Sequence, residues 1–197
     1  FGNDDGNDAT NFYYDDANDI WVGCISDNPR IEYFGYLKKM CLTLHNLAQM
    51  KKGWLPIHGA FVNIYLKDGT KKGIMLMGDS GAGKSESIEA LKAAAGDMIR
   101  EVEVVFDDMG TIHLEDGVPY GQGTEIGAFI RLDDLDPGTP YRDMDRSIFM
   151  APENPNARMI QPAAPYRVVV HNHKIDLFAY ANNYTNEFGL KKLTVQE

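Results

Sequence analysis

The segment Met77–Ser87 reads MGDSGAGKSES and fits the pattern Gly-x-x-x-x-Gly-Lys-Ser/Thr of a phosphate-binding loop, the P-loop. In such a loop, glycines let backbone N–H groups surround phosphate oxygens, the lysine bridges the β- and γ-phosphates, and the serine holds Mg²⁺. The pattern predicts a site for ATP or ADP. Its residues are Gly78, Asp79, Ser80, Gly81, Ala82, Gly83, Lys84, Ser85 and Glu86.

The flanking residues supply the context that such a loop requires. Gly73–Met77 is a short apolar run typical of a buried strand. The spacing predicts a helix over Lys84–Ala95 and another strand over Glu101–Phe106. Strand, glycine loop, helix and strand together predict an α/β fold with a mixed, twisted sheet. The alternative, a simple glycine turn, does not require these neighbours.

Similar patterns predict the other elements. Apolar residues spaced three and four apart predict a helix over Tyr36–Met50. Pro137–Pro165 is rich in Pro, Asp and Asn and is predicted to be mostly loop. Residues 1–19 are polar and acidic, and we expect an exposed loop ahead of one catalytic domain over residues 20–197. Further strands are predicted at Ile20–Ile25, His58–Leu66, Thr111–Leu114, Ala128–Leu132 and Arg167–Val170.

Composition limits the partners. The 197 residues carry a net charge of −10, which argues against a nucleic-acid partner because phosphate backbones attract basic faces. No run reaches the 18 apolar residues of a membrane span, so we expect no membrane partner. Two cysteines, Cys24 and Cys41, are typical of a reducing cytoplasm. The chain begins at Phe1, so we expect part of a longer parent chain, and no pattern defines an oligomeric state.

An acidic pair provides a second candidate motif. Asp107 and Asp108 follow the β-rich run EVEVVF, where a carboxylate that binds the nucleotide's metal is expected. A surface turn is the alternative interpretation. The pair is therefore a candidate metal site whose weight depends on its neighbours.

The order of these motifs resembles that of the phosphoenolpyruvate carboxykinase family. Tyr33, Lys39 six residues later, and His58 nineteen beyond it have the family's spacing ahead of the loop. The stretch FDDMG resembles the family's second kinase motif. The resemblance covers roughly residues 30–160 and implies conversion of oxaloacetate and ATP to phosphoenolpyruvate, ADP and carbon dioxide.

The resemblance also implies roles for individual residues. Lys39, His58 and Asp108 would bind Mn²⁺, Ser85 would bind Mg²⁺, and Asp107 would act next to that ion. Two nitrogens and one oxygen suit manganese, provided that exclusion of water and the cation favour a neutral lysine. Tyr33 and Arg158 would contact the substrate, and Lys84 the transferred phosphoryl group. Taken singly, Lys39 is more typical of a solvated helix lysine and His58 of an ordinary strand histidine, and only their joint spacing favours the metal site. We expect Lys38 to be solvated.

Some residues depart from the carboxykinase pattern. Asp79 and Ser85–Glu86 are closer to the loop of HPr kinase/phosphorylase, and Ala128 replaces a lysine expected from the resemblance, with Arg131 nearby. One alternative is therefore a kinase that phosphorylates a serine hydroxyl with Asp107 as the base. Another is a module that binds ATP and transfers nothing.

Overall fold

The computed structural model describes residues 10–27, 34–78, 82–93, 96–131, 145–149, 158–182, 184, 189 and 191–194. These form an α/β fold with a mixed, curled six-stranded sheet and few helices. The helices are α1 Phe34–Lys51, α2 Lys84–Ala93 and α3 Tyr166–Val169. The strands are β1 Thr10–Asp15, β2 Ile20–Ile25, β3 Leu55–Leu66, β4 Lys71–Met77, β5 Ile99–Glu115, β6 Val118–Gly123, β7 Gly127–Arg131, β8 Asp145–Phe149, β9 Arg158–Pro162, β10 His173–Lys174 and β11 Leu177–Tyr180.

The six-stranded sheet has the order β10-β6-β5-β3-β4-β11. Four of its five pairings are antiparallel, and β11 alone runs parallel to its neighbour β4. The turn between β5 and β6 has two residues, Asp116 and Gly117, with φ of 50° and 78°. An Asp-Gly pair with positive φ favours this tight hairpin.

Alternation along β3 and β4 creates a core on each face of the sheet. Phe61 and Met75 point to one face, which α3 covers through Val168. Ala60 and Leu76 point to the other face, which α2 covers through Ile88. Phe61 and Phe106 meet edge to face with ring centroids 6.0 Å apart, an arrangement favoured by the ring quadrupoles.

The hairpin β1–β2 packs separately against α1. Ile25 and Met40 form a small buried cluster between them. Lys51, near the end of the helix, lies 2.9 Å from the Asp19 carboxylate in the hairpin. The hairpin and the helix therefore contact each other at both an apolar and a charged point. β7, β9 and β8 form a third sheet in that order.

The structure contains the predicted elements around the loop, with shifted boundaries, and corrects two others. Arg167–Val170, predicted as a strand, belongs to α3, because the Pro165 carbonyl accepts bonds from Val168 and Val169 and starts a helical turn. Thr10–Asp15 is a strand rather than loop, since its aromatic residues pair with β2. The segment Pro137–Pro165, predicted to be mostly loop, contains β8 and β9. Residues 137–144 and 150–157 lie outside the described part.

The position of the acidic pair also differs from the prediction. We expected Asp107 and Asp108 to follow a strand, but β5 continues through them to Glu115 and joins two predicted strands. Backbone pairing explains this difference, because β3 pairs with β5 along the whole segment, including Gly59 with Asp108. Among the described residues, no helix is long and apolar enough to cross a membrane. Cys24 and Cys41 are both exposed and free.

Candidate functional site

The register of the central strands brings the predicted motifs together where β4 ends. Gly59 of β3 pairs with Met77 on one side and with Asp108 on the other. The glycine loop therefore begins beside His58, and β5 contributes Asp108 only two strands away, about 10 Å at the usual strand spacing. Residues separated by up to 50 positions in the sequence thus share one location.

His58 and Asp108 contact each other directly. Nε2 of His58 lies 3.1 Å from Oδ1 of Asp108, and the side chains are 44% and 37% exposed, so both are accessible to a ligand. Asp108 has φ of 127°, a conformation that non-glycine residues rarely adopt. Such backbone strain clusters at functional sites because the surrounding structure must hold it in place.

A lysine and a second carboxylate complete the cluster. Nζ of Lys38 lies 2.9 Å from Glu125 and 3.8 Å from Asp108, and the Lys38 side chain is only 14% exposed. The expectation that Lys38 is solvated is therefore wrong. Lys38 points toward the sheet because α1 packs over β2 and β3 at this edge. Lys39, the lysine singled out from the sequence, is exposed.

Glu125, which the sequence analysis did not select, lies in a largely buried and charged environment. Burial raises the pKa of its carboxyl, Asp108 and Asp107 raise it further, and Lys38 opposes them. Within the described part of the chain, its Oε1 is buried without a hydrogen-bond partner. The only sequence signal was an acidic residue between two short glycine-rich strands, GQGTEIGAF, which is common in loops.

The separation of His58 and Asp108 suits a divalent cation. Two ligands in adjacent octahedral positions, each 2.0–2.1 Å from an ion, are about 3 Å apart, which matches the His58–Asp108 separation. The free Glu125 oxygen adds negative charge nearby. No three His, Cys, Asp or Glu side chains in the described ranges form a metal-binding group. A cation at this place would therefore take its remaining ligands from a lysine, substrate or water.

The glycine loop lies between β4 and α2. Gly78 has φ of 155°, and a Cβ there would be 2.7 Å from the Ala181 carbonyl oxygen, so this position requires glycine. Gly83 has φ of 86° directly before α2. Lys84 is buried, and its Nζ donates to the Gly78 carbonyl at 2.9 Å, which joins the two ends of the loop. Asp79, Ser80 and Gly81 lie outside the described residues.

The other candidate residues for nucleotide, metal and substrate lie in or near α2 and in β5, apart from Tyr33 and Arg158. Ala82 is half-buried, Glu86 is exposed in the first turn of α2, and Ser85 is the second residue of that helix. Asp107 is half-buried and pairs with Ala60 through the backbone. Tyr33 lies outside the described residues.

Arg158 begins β9, which pairs with β7 and places Arg158 opposite Arg131; Ala128 also lies in β7. The backbone carbonyl of Ile126 accepts bonds from Ala163 and Ala164, so the end of β9 is held close to the residue that follows Glu125. The sheet that contains Arg158 is thereby attached to the cluster.

A comparison with models of known protein families finds no match, and neither does a comparison with curated protein sequences.

Proposed function

We propose that the chain is the nucleotide- and metal-binding core of a phosphoenolpyruvate carboxykinase-like enzyme. The reaction would convert oxaloacetate and ATP to phosphoenolpyruvate, ADP and carbon dioxide. The observation that carries this proposal is the meeting of His58, Asp108 and the start of the glycine loop at the end of β4. The family resemblance implies metal binding by His58 and Asp108 and phosphate binding by this loop.

The proposal gives each group a role. Lys84 and backbone N–H groups of the loop bind the triphosphate, with Ser85 as the residue for Mg²⁺. His58 and Asp108 would hold Mn²⁺, which would supply positive charge to stabilise an enolate oxygen. Of the two adjacent lysines, Lys38 has its ammonium 2.9 Å from Glu125 and 3.8 Å from Asp108, so we assign it rather than Lys39 to this cluster. Arg158 and Tyr33 remain the proposed contacts for the substrate.

Glu125 and Lys38 would adjust the charge of the cluster. Asp107 and Asp108 lie near enough to Glu125 to affect its charge, and the ammonium of Lys38 pairs with Glu125, so the cluster is negative when all three carboxylates are ionised. A negative, partly buried cluster favours a divalent cation. This charge balance supports a metal site but does not specify which reaction uses it.

The exposure of Lys39 favours one alternative, a kinase for serine hydroxyl groups. Such a kinase needs the loop, Mg²⁺ and Asp107 as the base, and it does not need a lysine beside manganese. Substituting the two lysines therefore separates the alternatives. Decarboxylation should depend on a lysine of this pair, whereas hydroxyl phosphorylation should tolerate the loss of either.

A coupled assay tests the proposal in the direction of carboxylation. The protein is supplied with phosphoenolpyruvate, bicarbonate, ADP, Mg²⁺ and Mn²⁺, and oxaloacetate is detected through malate dehydrogenase and loss of NADH absorbance. We expect activity that requires Mn²⁺ and is lost in His58→Ala and Lys84→Ala, with a larger loss in Lys38→Ala than in Lys39→Ala. An absence of oxaloacetate from protein that still binds ATP would reject the carboxykinase reaction and favour a serine acceptor or an ATP sensor.

A further inference from the structure

We propose that the base of the loop-bound nucleotide stacks on the ring of Tyr180, the last residue of β11. This proposal rests on the proposed nucleotide binding and adds the position of the base. Residues from three parts of the sheet carry the inference: the cluster on β3 and β5, the loop after β4, and the end of β11.

The arrangement of strands gives the bound nucleotide a direction. β4, which leads into the loop, has β3 on one side and β11 on the other. The reactive side chains His58 and Asp108 lie on the β3 side. The terminal phosphate must face those groups for transfer to occur. The nucleoside end of an extended triphosphate therefore leaves on the opposite side, toward β11.

The end of β11 lies directly against the start of the loop. Tyr180 pairs with Met77, the last residue before Gly78, and both strands run in the same direction. The Ala181 N–H donates to the Met77 carbonyl at 2.7 Å. The Ala181 carbonyl is so close to Gly78 that a Cβ there would clash with it. Tyr180 thus lies beside the loop at the carboxyl ends of two parallel strands, where open α/β sheets bind ligands.

The side chain of Tyr180 has the properties of a stacking surface. It is 55% exposed and lies on the strand face opposite Ala179, which packs against the core beneath α2. Phe178, two residues earlier on the same face, is 44% exposed and extends the aromatic surface. A purine base prefers such a ring, because both faces of the base are apolar while its edge stays hydrated.

Comparing ATP with inorganic tripolyphosphate separates the base from the phosphates. Binding of each ligand with Mg²⁺ is measured by calorimetry for the wild type, Tyr180→Ala, Tyr180→Phe and Lys84→Ala. Tyr166→Ala is the matched control, since Tyr166 is 70% exposed but lies on α3, which contacts β5 and β6. Tyr180→Ala should weaken ATP binding about five- to hundredfold and leave tripolyphosphate binding unchanged, the usual effect of losing one stacked ring.

The outcomes distinguish this inference from the proposed function. Tyr180→Phe should bind ATP within about twofold of the wild type because it retains the ring, and Tyr166→Ala should have no effect. Unchanged ATP binding in Tyr180→Ala, or equal losses for ATP and tripolyphosphate, would overturn the stacking proposal alone. If the wild type binds neither ligand, both the stacking proposal and the proposed nucleotide site fail.

Discussion

Nε2 of His58 lies 3.1 Å from Oδ1 of Asp108, although the two residues belong to different strands and are 50 positions apart in the sequence. Antiparallel pairing of β3 with β5 creates this contact, since Gly59, the neighbour of His58, is directly opposite Asp108. The same residue, Gly59, pairs with Met77 before the glycine loop. One strand therefore fixes the position of the metal candidates relative to the phosphate candidates.

The first prediction concerns manganese affinity. In the proposed site, His58→Ala removes a nitrogen ligand and Asp108→Asn removes a negative charge. Each should weaken Mn²⁺ binding at least about tenfold, because even residues that only support a ligand affect metal affinity by this much. Titration followed by electron paramagnetic resonance measures the free ion. His171→Ala and Asp116→Asn are controls, since both residues are exposed and belong to other parts of the chain. Equal affinities in all four variants would show that the ion binds elsewhere.

The second prediction concerns the pair formed by Lys38 and Glu125. Lys38→Met should lower the free energy of unfolding at neutral pH by about 1–3 kcal/mol, since it leaves a buried carboxylate without its cation. Adding Glu125→Gln should recover much of the loss, because the unpaired charge is then gone. Urea denaturation measures each variant, and Lys39→Met, at an exposed position, should change stability by less than about 0.5 kcal/mol. A double variant as unstable as Lys38→Met would contradict this coupling.

The third prediction is a pH dependence with a defined sign. Burial raises the pKa of Glu125, so the folded protein holds this proton more tightly than the unfolded chain does. Glu125 therefore favours folding below its ordinary pKa, and this contribution is lost as pH rises through the raised folded value. The free energy of unfolding of Glu125→Gln should therefore rise relative to that of the wild type as pH increases from 4 toward neutrality. A constant difference across the series would contradict the raised pKa.

The contribution of Glu103 to stability should depend on pH with the opposite sign. Burial favours its protonated form, but hydrogen bonds from Asn63 and Tyr65 and the charges of His173 and Lys71 outweigh it and lower the pKa. The stability from Glu103 is therefore present above the ordinary glutamate pKa and is lost as pH falls through the lowered value. Glu103→Gln should destabilise the protein most near neutrality. Denaturation at several pH values tests this, and a loss that grows on acidification would refute it.

The partner of Glu103, Tyr65, offers an independent measurement. Burial, together with the hydrogen bond to Glu103, raises the pKa of Tyr65 to about 12. Ultraviolet titration of the wild type against Tyr65→Phe should therefore show one phenol that ionises later than ordinary tyrosines. Glu103→Gln should shift this late step toward lower pH, because the carboxylate no longer opposes phenolate formation.

Another prediction concerns the first glycine of the loop. Gly78→Ala should weaken ATP binding and destabilise the protein more than Gly117→Ala does. Both positions have positive φ, but only at Gly78 would the new Cβ meet a backbone atom, the Ala181 oxygen at 2.7 Å. At Gly117 an alanine meets only the strain of the left-handed conformation, on the order of 1–2 kcal/mol, whereas at Gly78, with φ of 155°, it also meets the Ala181 backbone. Thermal unfolding and ATP titration measure it, and equal effects would argue against close packing of β11 on the loop.

Local patterns predicted the elements around the loop well. Met77 ends a strand and Lys84 begins a helix as expected, because an apolar run and helical spacing are both local signals. Thr10–Asp15 was missed because its Asp and Asn neighbours suggested a loop, while its partner β2 supplied the pairing. Arg167–Val170 was assigned to a strand on its valines, although the preceding Pro165 favours a helical turn.

The site was predictable only in part. Spacing makes His58 and Asp108 candidates but cannot say which of two adjacent lysines faces the sheet. That choice depends on how α1 rotates as it packs over β2 and β3, and this packing turns Lys38 inward. The sequence does not single out Glu125, because its environment depends on burial next to Lys38, which is a tertiary property.

A crystal of the protein grown with Mn²⁺ and a non-hydrolysable ATP analogue, with diffraction measured at the manganese absorption edge, tests the shared site most directly. We expect an anomalous peak at bonding distance, about 2.0–2.3 Å, from His58 Nε2 and Asp108 Oδ1. We also expect the triphosphate in the loop between Gly78 and Ser85. A bound nucleotide with manganese only on its phosphates, or a peak far from His58, would contradict the claim that the two motifs form one active site.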